Sequence, residues 1–155
     1  MFRVLLVFSA AGAALSLAGC GLNPFGAFKS PEECMTRVMY FESNRSSAEG
    51  MLAVGTVVMN RLNDPKYPHT VCGIVGQPNQ FAYGALWKPM KEGRSLELAQ
   101  QMARKVLGGY RHPGIGNAKF FHTAGYTYPY DNMRYTWVAG GNAFYEKVGR
   151  DGSVL

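Results

Sequence analysis

Histidine and cysteine are scarce in this chain of 155 residues, with three of each. His69, His112 and His122 lack the His-x-x-x-His spacing that sets two ring nitrogens on one helix face, so no metal site is expected. No cofactor is expected either. Acidic residues are few, ten against sixteen Lys and Arg, yet the net charge of +6 is dispersed. No block of five or six cations occurs, so the basic stripe that follows a nucleic-acid backbone is missing and no nucleic-acid partner is expected. Internal repeats and low-complexity segments are absent as well.

The one long apolar run, Val4 to Leu17, is too short to span the ~30 Å hydrocarbon of a bilayer as a stable helix and lacks charged residues on both flanks. It follows Arg3 and ends in Leu17-Ala18-Gly19-Cys20. A cationic start, a short apolar stretch and small residues before a cleavage point are the parts of a secretory signal. Leu-Ala-Gly-Cys resembles the bacterial lipobox, which implies cleavage before Cys20, acylation of that cysteine and membrane anchoring by more than one acyl chain. Gly21 in place of Asp resembles the outer-membrane sorting pattern of Gram-negative bacteria. The expected organisation is a signal over 1–19, a lipid-anchored tether over 20–29 and one domain over 30–155, on the periplasmic face of the outer membrane. The mature length suits a single core. In an oxidising compartment Cys34 and Cys72 form an even pair, and a disulfide between them would add roughly 3–4 kcal/mol.

Within the domain, Ser30-Pro31-Glu32-Glu33 carries an N-cap, a proline suited to the first helical position and a capping-box glutamate. A helix is expected through Met35, Val38, Met39 and Phe41, stopping near Ser43-Asn44. Ser46-x-x-Glu49 reads as a second capping box. It opens a helix apolar nearly all round to Leu62, whose Gly50, Ala53 and Gly55 allow another helix close. Residues 66–89 read as a loop or hairpin region. Ser95 to Leu107 forms a third helix ended by Gly108-Gly109, and Ala118 to Phe121 a strand. The Tyr- and Gly-rich remainder reads as irregular or weakly extended. The fold class is α+β, mainly helical, with a small β or loop lobe.

Glu42 is the leading candidate for chemistry. It falls at the end of an apolar helix, where the negative end of the helix dipole disfavours a carboxylate, and apolar neighbours would add to that by desolvation. A general acid at neutral pH needs such a raised pKa. A solvated glutamate at a frayed helix end fits the same position, and position alone does not separate the two.

Ordered motifs separate them. Tyr40 precedes Glu42, then come Glu49-Gly50, Ala53-Val54 and Val57 to Asn60-Arg61, followed by Tyr67-Pro68-His69-Thr70-Val71-Cys72-Gly73. Gln80-Phe81, Ala118-Lys119-Phe120-Phe121 and Gly140-Gly141-Asn142-Ala143-Phe144-Tyr145 complete the series. Over about residues 33–147 this order resembles the cell-wall hydrolase family of the spore-cortex-lytic enzymes SleB and CwlJ. The resemblance implies a lysozyme-like fold and peptidoglycan glycan strands as substrate. It also implies cleavage of the β-1,4 bond between N-acetylmuramic acid and N-acetylglucosamine. Carried over, the catalytic residue is Glu42. In the lytic-transglycosylase route it protonates the glycosidic oxygen and then deprotonates the muramoyl C6 hydroxyl, leaving a 1,6-anhydro end.

The chain departs from the family pattern twice. Ser46 stands where a second glutamate is frequent, and Asn142 stands where the family has a late histidine. Asparagine cannot shuttle protons near pH 7. Glu49, the remaining second acid, reads as the structural capping glutamate. Gln80, Phe81, Tyr83 and Trp87 offer an amide and aromatic faces to sugars, and His122 with Tyr126, Tyr128 and Tyr130 offers more. Each could equally be packing. Three alternatives to a transglycosylase stand: a muramidase using Glu42 with water, a cysteine peptidase using Cys34 or Cys72, and an inactive lipid-anchored wall-binding scaffold.

Overall fold

A computed structural model describes residues 29–43 and 47–155 of the chain. The expected signal, Cys20, the tether as far as residue 28, and Ser46 lie outside the described residues. Among the described residues there are four α-helices, α1 (Pro31–Glu42), α2 (Ala48–Leu62), α3 (Val71–Val75) and α4 (Gly93–Leu107). A 3₁₀ turn (Pro113–Ile115) then leads into strands β1 (Phe120–Thr123), β2 (Met133–Ala139) and β3 (Asn142–Lys147).

Helix α1 starts as its cap residues direct. Ser30 Oγ accepts the Glu33 amide at 3.0 Å, with Pro31 inside the first turn. Glu33 does not close the box. Its carboxylate takes Lys29 Nζ and Arg37 Nε, each at 3.0 Å. The cap of α2 is Ser47, whose Oγ accepts the Gly50 amide at 2.9 Å. This corrects the reading of Glu49 as a capping glutamate, because the cap lies one residue later and frees the Glu49 side chain for other partners.

Helix α2 forms the centre of the core. Met51, Ala53, Val54, Val57 and Val58 are fully buried along it, against Met35, Val38 and Met39 of α1 and Ala99, Ala103 and Val106 of α4. Its small residues work in two ways. A Cβ at Gly55 would come within 2.2 Å of Met39 Cε, so this glycine lets α1 approach. A Cβ at Gly50 would fall 2.5 Å from Gly140 Cα, so there the close neighbour is the β2–β3 turn, not a helix.

That turn organises the sheet. Gly140 and Gly141 both have positive φ, 56° and 82°, which a two-residue hairpin matched to strand twist requires. The sheet is antiparallel in the order β1-β3-β2, so the stretch expected to be irregular or weakly extended holds a hairpin, with a register shift between Tyr135 and Trp137. β1 lies slightly later than expected, at Phe120–Thr123. In the segment expected as loop or hairpin, the short helix α3 appears instead, capped by Thr70 Oγ1 on the Gly73 amide at 3.0 Å. Turns follow it to residue 88.

β1 and β2 occupy opposite edges, and β1 ends beside the start of β3 while β2 begins beside its end. Residues 124–132 must therefore cross the sheet from one end to the other. The strap is fastened at both ends, by Ala124 N–H on Gly141 O at 2.8 Å and by Val148 N–H on Asn132 O at 3.0 Å. Phe144 on the other face is fully buried in the core.

Cys34 in α1 and Cys72 in α3 are joined by a disulfide across a separation of 38 residues. Closing a loop of that length removes unfolded-state entropy worth roughly 3–4 kcal/mol. Replacing both cysteines by serine should lower the denaturation free energy by about that amount. Urea titrations of the oxidised protein and the double variant read the difference. Coincident midpoints would mean that the bond contributes no stability.

Candidate active site

Glu42 is the last residue of α1 and is held from three directions. Ser43 closes the helix with its Oγ on Met39 O at 2.7 Å. From the start of β3, Asn142 Nδ2 donates to the Glu42 carbonyl at 2.6 Å. The Ala82 amide donates to Glu42 Oε1. The loop carrying Ala82 is itself pinned to α1, since Arg37 Nη1 donates to Lys88 O at 2.9 Å. Just beyond it, the Glu92 amide donates to Tyr40 Oη at 3.1 Å. One helix thus places the acid and fixes the loop that contacts it.

Behind the acid lies Arg61 of α2, almost wholly buried. Its Nε donates to Lys119 O at 2.8 Å, and its guanidinium carbon lies 5.0 Å from the Phe81 ring centre, 5.4 Å from Tyr67 and 5.7 Å from Phe120. Such faces attract a cation electrostatically. Neighbouring Asn60 donates to Gly116 O and Ala118 O, both at 2.9 Å. The Asn-Arg motif therefore fastens α2 to the segment entering the sheet.

Burial raises the Glu42 pKa above its ordinary value of 4.5. The Ala82 amide and, more weakly, the Arg61 charge pull the other way, but desolvation is the largest influence. A carboxyl with one oxygen engaged and its proton retained at higher pH has the properties of a general acid.

A cleft of about 300 Å³ opens over Glu42. Of the sequence candidates, Gln80, Phe81 and His122 line it, together with Tyr128, Asn142 and Asn79. Tyr83 does not. It is 93% exposed and belongs with Trp87 to a separate hollow beside the 75–87 loop. Tyr126 is also outside the cleft lining and largely exposed. His122 is fixed in place, with Nδ1 2.9 Å from Thr123 O and Nε2 2.8 Å from Tyr135 Oη. Because a carbonyl only accepts, Nδ1 carries a hydrogen toward Thr123, and Nε2 shares a hydrogen bond with the Tyr135 hydroxyl. The ring also meets Tyr128 edge-to-face at 4.7 Å.

Glu49 is remote from this chemistry. It accepts Trp137 Nε1–H at 2.9 Å and lies 3.4 Å from His112 Nε2, joining the start of α2 to β2. His112 Nδ1 accepts the Gly114 amide, so that ring too is committed to structure. The cysteine-peptidase alternative loses its nucleophiles, since Cys34 and Cys72 are both spent in the disulfide. Sequence reasoning missed the roles of Arg61, Asn79 and Asn142. Arg61 lay within a quoted motif, but its burial beside Glu42 depends on residues distant in sequence. Asn79 belongs to no quoted motif; in the structure it adopts a positive φ of 58°, which asparagine tolerates better than most residues.

A sequence profile described as Cell Wall Hydrolase matches residues 45–145. The chain belongs to this family. Among relatives of this cell wall hydrolase domain, the spore cortex-lytic enzyme of Oceanobacillus iheyensis is 34% identical over 79 residues, 48% of the chain and 29% of that protein. The spore cortex-lytic enzyme of Bacillus subtilis is 31% identical over 58 residues, 37% of the chain and 19% of that protein. The chain therefore spans less than a third of the length of these curated relatives. Among solved structures, the catalytic domain of the germination-specific lytic transglycosylase SleB from Bacillus anthracis superposes with a TM-score of 0.61 at 24% identity. It covers 79% of this chain and 99% of that one. The catalytic domain of Bacillus cereus SleB gives 0.61 at 23% identity over 83% and 100%. The fold is the expected α+β, mainly helical, lysozyme-like one. The profile begins after Glu42, so the place of that residue rests on the geometry above.

The raised pKa has a signed consequence. Between 4.5 and the higher folded value, the native state binds more protons than the unfolded chain, so stability falls as pH rises through that window. Above it the wild type carries a desolvated carboxylate that Glu42→Gln lacks. Glu42→Gln should melt higher than wild type at about pH 7, and the two should converge at about pH 4. A gap of equal size at both pH values would sink this account.

Proposed function

We propose that this domain cleaves the β-1,4 bond between N-acetylmuramic acid and N-acetylglucosamine in peptidoglycan, as a lytic transglycosylase with Glu42 as its acid and base. The observation that carries the reading is that Glu42 is the only carboxylate among the described residues lining its cleft. Hydrolysis of a glycosidic bond ordinarily requires two carboxylates flanking it. An internal nucleophile requires one. With Oε1 engaged by Ala82, Oε2 delivers the proton to the glycosidic oxygen as the C1–O bond breaks. The muramoyl C6 hydroxyl then attacks C1 and returns its proton to Glu42, so the products are an anhydro end and a free 4-hydroxyl with no water consumed. The nucleophile already belongs to the substrate, which lowers the entropic part of the barrier. The family match and the lytic-transglycosylase description of the Bacillus anthracis neighbour support the same reaction class.

Gln80 and Asn142 offer amides to sugar hydroxyls and N-acetyl groups, while Phe81 and Tyr128 supply apolar walls. We further propose that the domain works outside the cytoplasm, tethered through an acylated Cys20 to the periplasmic face of the outer membrane.

Two measurements test these readings. Digestion of purified sacculi followed by mass spectrometry should yield 1,6-anhydromuramoyl ends, with Glu42→Gln slower by roughly 10²–10⁴-fold. Reducing muramic ends would identify a muramidase instead, and sacculus binding without release by either protein would leave a wall-binding scaffold. In cells fed an alkyne-bearing fatty acid, wild type should take up label and Cys20→Ala should not. Equal labelling of both would remove the anchor.

A further inference from the structure

Tyrosine is concentrated on the strap that crosses the sheet, at Tyr126, Tyr128 and Tyr130. Tyr128 forms part of the wall of the Glu42 cleft. Its ring is nearly parallel to that of Tyr130, with an interplanar angle of 10° and centres 6.3 Å apart. Tyr130 is 65% exposed, and it forms one side of a second hollow of about 670 Å³ shared with Asp131, Asn132 and Arg150. The aromatic surface therefore continues out of the cleft and ends against a carboxylate, an amide and a guanidinium.

Resting on the transglycosylase reading, we propose that Tyr130 and the polar hollow beside it form a distal subsite for the same glycan strand, beyond the sugars seated over Glu42. A pyranose ring presents one face of C–H groups and a rim of hydroxyls. The C–H face is complementary to the negative face of a tyrosine ring, and the hydroxyls match Asp131, Asn132 and Arg150. Continuity with the cleft through Tyr128 selects the occupant, because a strand leaving the cleft on that side meets Tyr130 next. The surface is also held in shape before substrate arrives. The strap is fastened at Ala124 and Asn132, and Tyr128 rests on His122, which is itself fixed by Thr123 and Tyr135. Such preorganisation limits the entropy lost on binding. The domain would in consequence favour long strands over short fragments.

The probe is peptide-free glycan strands fractionated by length, titrated against Glu42→Gln so that binding is read without cleavage. Long strands should bind more tightly than tetrasaccharides. Adding Tyr130→Ala should weaken long-strand binding by about 3–10-fold and leave tetrasaccharide binding unchanged, while Tyr130→Phe should retain the length preference. Equal binding of long strands with and without Tyr130→Ala would overturn the proposal. So would an effect confined to peptide-bearing strands, which would make the hollow a reader of stem peptides. If wild type released no anhydro ends but the Tyr130-dependent length preference persisted, the reaction assignment would fall and the subsite would remain.

Discussion

A guanidinium buried beneath a carboxyl is the constraint around which this domain is arranged. Arg61 is too deep for water to stabilise its charge, and burial of an unpaired ion is costly. The fold answers with ring faces from Tyr67, Phe81 and Phe120 and with the Lys119 carbonyl. Those partners come from the turn after α2, the loop before α4 and the entry to β1, so one buried cation draws three parts of the chain together. Glu42 sits beside this charge, which draws its pKa down while burial, the larger influence, pushes it up.

The helical half of this arrangement was legible from local chemistry. Ser30-Pro31 marks the start of α1, apolar spacing carries it to Phe41, and Glu42 falls at its end. α4 was found to within two residues, since its apolar stripe and terminal glycines are local signals. The start of α2 was displaced by one residue because Ser46 and Ser47 are chemically equivalent caps and only packing chooses between them. The site residues that lie far apart in sequence divide in the same manner. Gln80 and Phe81 were identified through an ordered resemblance, and His122 through its place beside a Tyr-rich stretch. Asn142 was discounted for acid–base chemistry, yet its amide holds the Glu42 carbonyl, a role visible only once β3 is docked on the end of α1.

The sheet was harder to read for a topological reason. Its strands are short, and the edge strands β1 and β2 are consecutive in sequence without being paired to each other. Neighbouring segments therefore carry no hairpin signal until the Gly140-Gly141 turn, and the connection between them resembles a disordered Tyr-, Pro- and Gly-rich linker. In the folded domain that connection is tied at both ends and backed by aromatic contacts. Composition described its polarity and missed its fixity.

The disulfide gives the domain a direction in which it can be pulled. Cys34 lies in the first turns of α1, Cys72 Sγ is 3.4 Å from the Lys29 carbonyl, and Glu42 is at the opposite end of the helix. Tension entering the chain at Lys29 would pass through the Cys34–Cys72 bond into α3 before it could unwind α1 toward Glu42. Fraying at the start of the domain would thus be checked at one end of α1 while Glu42 stays docked at the other.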